Sequence, residues 1–240
     1  MAIIGYGKMG KEIEKILLQR GHKVLLTTNS HNSHRLNPEN LENIDVAIEF
    51  SGPETAFANV KKCLENHTAV ICGSTGWLKD KEQAEKSALE NETAFLYASN
   101  FSLGVNVLFA LNEKIGRLLS TNKDYSISIS ETHHTEKIDA PSGTAISLAE
   151  QIIEHSDNRF SDWSLKEEEE EKEKSKLPIT AFREPNVPGT HEINYQSDQD
   201  HITLKHVAKN RKGFALGAVL AAEFVYKKKG IYTMKDVLNV

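Results

Sequence analysis

Over the first hundred residues, short apolar runs alternate with amphipathic stretches. Residues 1–4 are apolar, and Gly5-Tyr6-Gly7-Lys8-Met9-Gly10 reads as a turn. Ile13, Ile16 and Leu17 then recur at helical spacing, with Gly21 as a natural C-terminal stop. Residues 22–28 read as a second strand. The polar stretch 29–43, with its Asn, Ser and His residues and one Pro, reads as a loop. Residues 45–50 form a third strand, and Pro53 suits the first turn of the helix that follows. A fourth strand, 68–72, ends at Gly73-Ser74-Thr75-Gly76. A charged helix (79–91) and a short strand (95–97) come next. Such alternation predicts a parallel, doubly wound sheet.

The pattern changes near residue 100. Residues 105–119 have helical periodicity, whereas 125–130 alternate serine and isoleucine with period two, the mark of a half-buried strand. Segments 177–183, 190–196 and 200–207 also read as strands with no helix between them. An antiparallel or mixed sheet is therefore expected, and with it a second domain of different architecture. Residues 213–226 form an apolar helix whose small residues Ala215, Gly217, Ala218, Ala221 and Ala222 permit close packing. That helix is expected to return to the first domain.

Composition narrows the function classes. At 240 residues the chain has room for one large or two modest domains, each with its own core. A formal charge of −5 argues against a polyanion-binding surface, and the one dense charge run, five glutamates at 167–171, is acidic. That run reads as a solvated helix face or a mobile loop. No stretch approaches the roughly 18–20 apolar residues of a membrane span. The glycine turn starts at residue 5, which leaves no room for a secretory signal, and Cys63 and Cys72 match no CxxC pattern. Reduced, buried thiols and a cytoplasmic location are expected.

Gly5-x-Gly7-x-x-Gly10 follows a strand and opens a helix, the context in which glycines let the backbone approach a pyrophosphate at a helix N-terminus. At the end of the second strand, Thr27-Thr28-Asn29-Ser30-His31, with Arg35 beyond, contains no carboxylate for the ribose hydroxyls. This favours NADPH, with NADH kept open. Ser51-Gly52-Pro53 and Gly73–Gly76 lie at the C-terminal ends of parallel strands, the edge along which open α/β sheets bind ligands.

The densest polar chemistry is Glu131-Thr132-His133-His134-Thr135-Glu136-Lys137-Ile138-Asp139-Ala140-Pro141-Ser142-Gly143-Thr144-Ala145. Ser142 is a good N-cap for the helix that follows. Backbone N–H groups at Gly143 and Thr144, with the Thr144 hydroxyl, would suit a carboxylate. His133, His134 and Lys137 would add charge and transferable protons. Two histidines also invite a metal, but no third ligand stands at a zinc spacing and nothing resembles HExxH, so no metal is expected.

These motifs, together with Gly73–Trp77 (GSTGW), residues 98–107 (ASNFSLGVNV) and 214–219 (FALGAV), resemble the dihydrodipicolinate reductase family nearly end to end. The resemblance implies an α/β fold, with a Rossmann-like N-terminal domain (1–102 plus 212–240) and an inserted α+β domain (103–211) for substrate binding and oligomerisation. It implies NAD(P)H-dependent reduction of 4-hydroxy-tetrahydrodipicolinate on the diaminopimelate route to lysine, by a homotetramer acting on a small dicarboxylate. His133 would be the acid/base residue and Lys137 the proton donor. His134, Lys137, Ser142, Gly143, Thr144 and Arg211 would hold the substrate, with Arg211 closing the site. Gly5, Gly7, Lys8, Met9, Gly10, Ser51, Gly73, Thr75, Ala98, Asn100 and Phe101 would line the cofactor groove. The alternatives are another two-domain NAD(P)-dependent dehydrogenase of amino-acid metabolism and a non-catalytic dinucleotide-binding sensor. The sensor would be expected to have lost the His/Lys cluster.

Overall fold

Six short strands, all parallel, pair in the order β11-β5-β4-β3-β1-β2, where β1 is Ala2–Ile4, β2 Leu26–Thr28, β3 Val46–Glu49, β4 Ala69–Cys72, β5 Ala94–Tyr97 and β11 Gly230–Tyr232. The computed structural model describes residues 1–166 and 175–239 of the chain. The glutamate run at 167–171 lies outside the described residues.

The chain leaves β1 for β2 on one side and then returns to β3 on the other. The strand order therefore reverses at the C-terminal ends of β1 and β3, where an open α/β sheet has its ligand crevice. Because side chains alternate along each strand, the two faces collect different cores. On one face Ile3, Val46, Ile48, Ile71 and Leu96 pack with Ile13 and Leu17 of α1 (Lys8–Gln19) and with the alanine-rich α7 (Lys212–Val225). On the other, Ile4, Ala47, Val70 and Phe95 meet Val60 and Leu64 of α3 (Pro53–Glu65) and Ala84 and Ala88 of α4 (Lys81–Glu90). The helix expected over 213–226 does return to this sheet, packing on α1 and on β3 to β5.

Three expectations for this part need correction. The second strand spans only Leu26–Thr28, because its partner β1 offers three residues for pairing. The stretch 29–43 contains a 3-10 turn at Ser33–Arg35 and a short α2 at Pro38–Leu41. Asn37 caps α2 by accepting the Asn40 N–H at 2.9 Å, and Leu36 and Leu41 are buried beneath it. The strand β11 and the final helix α8 (Met234–Leu238) were not expected. Three half-buried residues give too weak a pattern to register.

The second sheet is mixed, in the order β10-β9-β6-β8-β7. Its strands are β6 Ser126–His133, β7 Asp162–Leu165, β8 Lys176–Arg183, β9 Thr190–Gln196 and β10 His201–Val207. β6 runs antiparallel to β9 and parallel to β8. Ile127, Ile129, Leu177, Ile179, Ile193 and Tyr195 point to one face and pack with α5 (Leu103–Leu119) and α6 (Gly143–Glu154). The short β7 was missed by the periodicity, and β6 runs three residues further than expected, carrying the Glu131–His133 block onto the sheet. The chain divides into two compact units, Met1–Leu103 with Arg211–Val240, and Gly104–Asn210. No helix among the described residues is long and apolar enough to cross a membrane.

Candidate functional site

In the first unit, the loops after β1, β3, β4 and β5 supply Gly5 to Gly10, Ser51, Gly73 with Thr75, and Ala98 to Phe101, all at the C-terminal edge of the sheet. Gly5 has φ +94°, and a Cβ there would sit 2.2 Å from the Phe50 carbonyl oxygen, so only glycine lets this turn pass between β1 and β3. A Cβ at Gly10 would lie 2.6 Å from the Gly5 oxygen, which ties α1 closely to the turn. Gly7, by contrast, faces open space, with nothing within 4 Å of an added Cβ. The first turn of α1 contains no acidic side chain, and Lys8 is exposed beside it. A close-packed turn with an open, non-acidic helix start fits the pyrophosphate of a dinucleotide. Ser51 is held in place from below: Glu49, fully buried, accepts its N–H at 3.0 Å and also its hydroxyl. Cys72 donates to the same carboxylate at 3.2 Å. Burial raises the Cys72 thiol well above its ordinary value and pushes Cys63 up to about 12, so both remain inert thiols.

In the second unit the period-two pattern of β6 decides the site. Ile127 and Ile129 point into the core, and the same phase carries Glu131 and His133 inward two and four residues later. Register then adds groups distant in sequence. His191 on β9 lies opposite Glu131, His206 on β10 opposite His191, and Arg183 on β8 opposite His133. His206, His191 and Glu131 thus form a polar row one step along from Leu204, Ile193 and Ile129, while Arg183 reaches Glu131 from the next row, opposite His133.

Glu131 is 1% exposed. One of its oxygens, Oε1, accepts the Ser142 N–H at 3.0 Å and the Arg183 Nη1 and Nη2 at 3.4 Å each. Its Oε2 lies 3.2 Å from His133 Nδ1 and 3.7 Å from His191 Nε2. Burial alone would raise its pKa, but the His133 and Ser142 contacts outweigh burial and hold it at about 2. Burial, reinforced by the neighbouring His133, lowers His191 to about 4, against the opposing pull of Glu131. Its Nε2 meets the Ser142 hydroxyl at 3.1 Å.

Ser142 is the N-cap of α6 as expected, accepting the Ala145 N–H at 3.2 Å. Gly143 faces open space in the first turn, with Thr144 beside it. Between β6 and α6 the loop carries His134 and Lys137, closed by the Lys137 N–H donating to the His134 carbonyl at 3.1 Å. The Lys137 ammonium is held by Asp139 at 2.7 and 2.6 Å, a partner the sequence reading did not single out. Burial raises and Lys137 lowers the Asp139 carboxyl, with a net fall. Arg183 secures the loop from beneath, donating to the carbonyls of Asp139 at 2.6 Å and Lys137 at 3.3 Å.

The structure therefore gathers His133, His134, Lys137, Ser142, Gly143 and Thr144 around the β6–α6 junction. Arg211 belongs to the other unit, as the residue preceding α7. Glu131, Arg183 and His191 were not singled out in the sequence. The inward phase of Glu131 was legible from the alternation, whereas Arg183 and His191 carry no local signal.

Glu131, His133 and His191 bring three ligand-type atoms within 4.8 Å of one another, the one such group among the described residues. Arg183 sets a positive charge on the same carboxylate, and His191 Nε2 is already engaged by Ser142. The set is built for protons better than for a cation.

Residues 1–101 match the family "Dihydrodipicolinate reductase, N-terminus" and residues 104–238 its C-terminal counterpart. The 4-hydroxy-tetrahydrodipicolinate reductase of Christiangramia forsetii is 48% identical over 240 residues, covering 100% of this chain and 97% of the relative. That of Rickettsia bellii is 36% identical over 233 residues, covering 96% and 90%. A dipicolinate-bound dihydrodipicolinate reductase from Paenisporosarcina sp. TG-14 has the same fold, with a TM-score of 0.79 at 22% identity over 97% of this chain and 96% of that one. An amine dehydrogenase from Mycobacterium smegmatis shares it more loosely, with a TM-score of 0.64 at 10% identity over 97% and 94%. Matched in both halves and along its whole length, the chain belongs to the dihydrodipicolinate reductase family, the oxidoreductases that reduce 4-hydroxy-tetrahydrodipicolinate in diaminopimelate and lysine biosynthesis.

Proposed function

We propose that the second unit (Gly104–Asn210) binds the dicarboxylate substrate at the β6–α6 junction, with His133 as acid/base residue and Lys137 as proton donor to the ring. His134, Lys137, Ser142, Gly143 and Thr144 hold the two carboxylates, and Arg211 adds a further positive charge. NADPH or NADH, bound by Gly5, Gly7, Lys8, Met9, Gly10, Ser51, Gly73, Thr75, Ala98, Asn100 and Phe101, supplies hydride to an electron-poor ring carbon. The observation that carries this reading is the concentration of cationic and proton-bearing groups at one helix start, with a buried carboxylate behind them. Binding the ground state does not accelerate the step, so a donor must neutralise charge developing on the substrate. Lys137 does this once a substrate carboxylate replaces Asp139 as its partner. Asn29, Ser30 and His31 at the end of β2 offer no carboxylate to ribose hydroxyls, which favours NADPH.

The enzyme is proposed to work in the cytoplasm as a homotetramer. The outer face of the second sheet supports the assembly: Ser126, Ser128, Phe182 and Val207 are exposed there, and a hollow lined by Ser126, Ser128, Pro178, Thr180 and Gln196 opens on it. Light scattering of the purified protein tests the assembly. The activity is tested by following absorbance at 340 nm with NADH and NADPH in parallel, the substrate being generated from pyruvate and aspartate semialdehyde by the preceding synthase. Synthase-dependent oxidation is expected, faster with NADPH. No oxidation from protein that still binds either cofactor would refute the proposal.

A further inference from the structure

Glu131 has no role in the chemistry proposed above, yet its carboxylate meets Ser142, Arg183, His133 and His191. An apolar residue would pack at its position as Ile129 does one step along the strand, without the desolvation that a buried carboxylate suffers. Its two oxygens divide their work. Oε1 takes three donors, from Ser142 at the start of α6 and from Arg183, which also holds the Lys137 loop through the Lys137 and Asp139 carbonyls.

The two ion-pair contacts of Oε2 are both with imidazole nitrogens. His191 Nε2 is the more distant at 3.7 Å and already meets the Ser142 hydroxyl. His133 Nδ1, at 3.2 Å, is the remaining donor. As placed, neither Oε2 nor His133 Nδ1 completes a hydrogen bond to any group, and both are buried. At 3.2 Å, a proton on Nδ1 lets the two buried atoms satisfy each other, whereas a proton on Nε2 would leave two lone pairs facing each other. The opposite edge of the ring lies over Gly189, where φ is +157° and an added Cβ would stand 3.0 Å from Nε2. That edge is kept clear of side chain.

We propose that Glu131 is a positioning residue: its carboxylate holds His133 in the Nδ1–H tautomer, leaving Nε2 to exchange the proton, and fixes the Lys137 loop through Arg183. The proposal rests on the reading of His133 as the acid/base residue. A carboxylate behind a histidine sets which nitrogen is protonated, and replacing it by an amide leaves the shape intact while losing that control.

The test begins with the wild-type enzyme labelled with 15N-histidine, the His133 resonances being identified by their loss in His133→Asn. In the alkaline limit of its titration, His133 is expected to show a protonated Nδ1 and an unprotonated Nε2. The reverse tautomer overturns the proposal, whatever the fate of Glu131→Gln. Glu131→Gln is then expected to lower kcat at least about 10-fold, and up to the roughly 10⁴-fold seen when a carboxylate behind a catalytic histidine becomes an amide. Its Nε2–H population should rise while cofactor Kd stays unchanged. Wild-type kcat in Glu131→Gln, or a low kcat with the tautomer unmoved, also overturns it. Full activity in His133→Asn would instead remove the acid/base reading, whatever the tautomer.

Discussion

His191→Asn should flatten the acid dependence of stability of the second unit. His191 is 4% exposed, and burial with the adjacent His133 lowers its pKa from 6.5 to about 4. In the unfolded chain the imidazole takes a proton as pH falls below 6.5, whereas the folded chain resists until about 4. Between those values the unfolded form binds more protons, so stability is complete above pH 6.5 and is lost as pH falls toward 4. At roughly 1.4 kcal/mol per pH unit the full loss is about 3 kcal/mol, of which about 2 kcal/mol has gone by pH 5. Glu131 works lower down: its depressed pKa holds stability above 4.5 and loses it toward about 2, leaving the higher window to histidine. The chain has two tryptophans, Trp77 in the first unit and Trp163 in the second. In 5-fluorotryptophan protein, each unit's urea transition can be followed by its own 19F resonance. Between pH 7.5 and pH 5, the wild-type Trp163 transition should lose about 2 kcal/mol more than that of His191→Asn. An equal loss in both proteins would show that His191 is not held neutral by its surroundings, and the reasoning fails.

Lys137→Ala should lower kcat by about 10²–10⁴-fold, the usual contribution of a positioned proton donor, with cofactor Kd nearly unchanged. A parallel loss of cofactor binding would count against its role. Ser142→Ala should cost about 1 kcal/mol in the Trp163 transition, because the cap on the Ala145 N–H is lost, while the Ser142 backbone N–H to Glu131 survives. No change in that transition would mean the cap contributes nothing. Gly217→Ala should destabilise the first unit by at least about 3 kcal/mol, the upper end of ordinary overpacking, since its Cβ would fall 1.7 Å from the Phe101 carbonyl oxygen. A Trp77 transition like that of the wild type would refute this close approach.

Local pattern carried much of the architecture. The Gly5–Gly10 turn, the helix through Ile13 and Leu17, Pro53 at a helix start and Ser142 as a cap each depend on residues within one turn of themselves. Their conformations follow from sterics and nearby hydrogen bonds, and the sequence is sufficient for them. The alternation Ile127, Ile129, Glu131, His133 even placed Glu131 on the buried face, although only its position in the motif was noted. Short strands with few partners, β2, β7 and β11, were mis-sized or missed because three or four residues cannot establish a period.

The site itself needed both levels. His133, Lys137 and Ser142 are neighbours in sequence, so their chemistry could be read as one motif. Glu131 acquires its meaning only when register sets His191 opposite it and Arg183 opposite His133, about 50 to 60 residues further along. A strand's own residues specify which side chains point inward but not which strand lies beside it. That choice is made by the pairing of whole sheets, where one residue of slip would turn every inward group outward. The proton-bearing residues were therefore legible from sequence, while the buried carboxylate network that orders them exists only in the folded sheet.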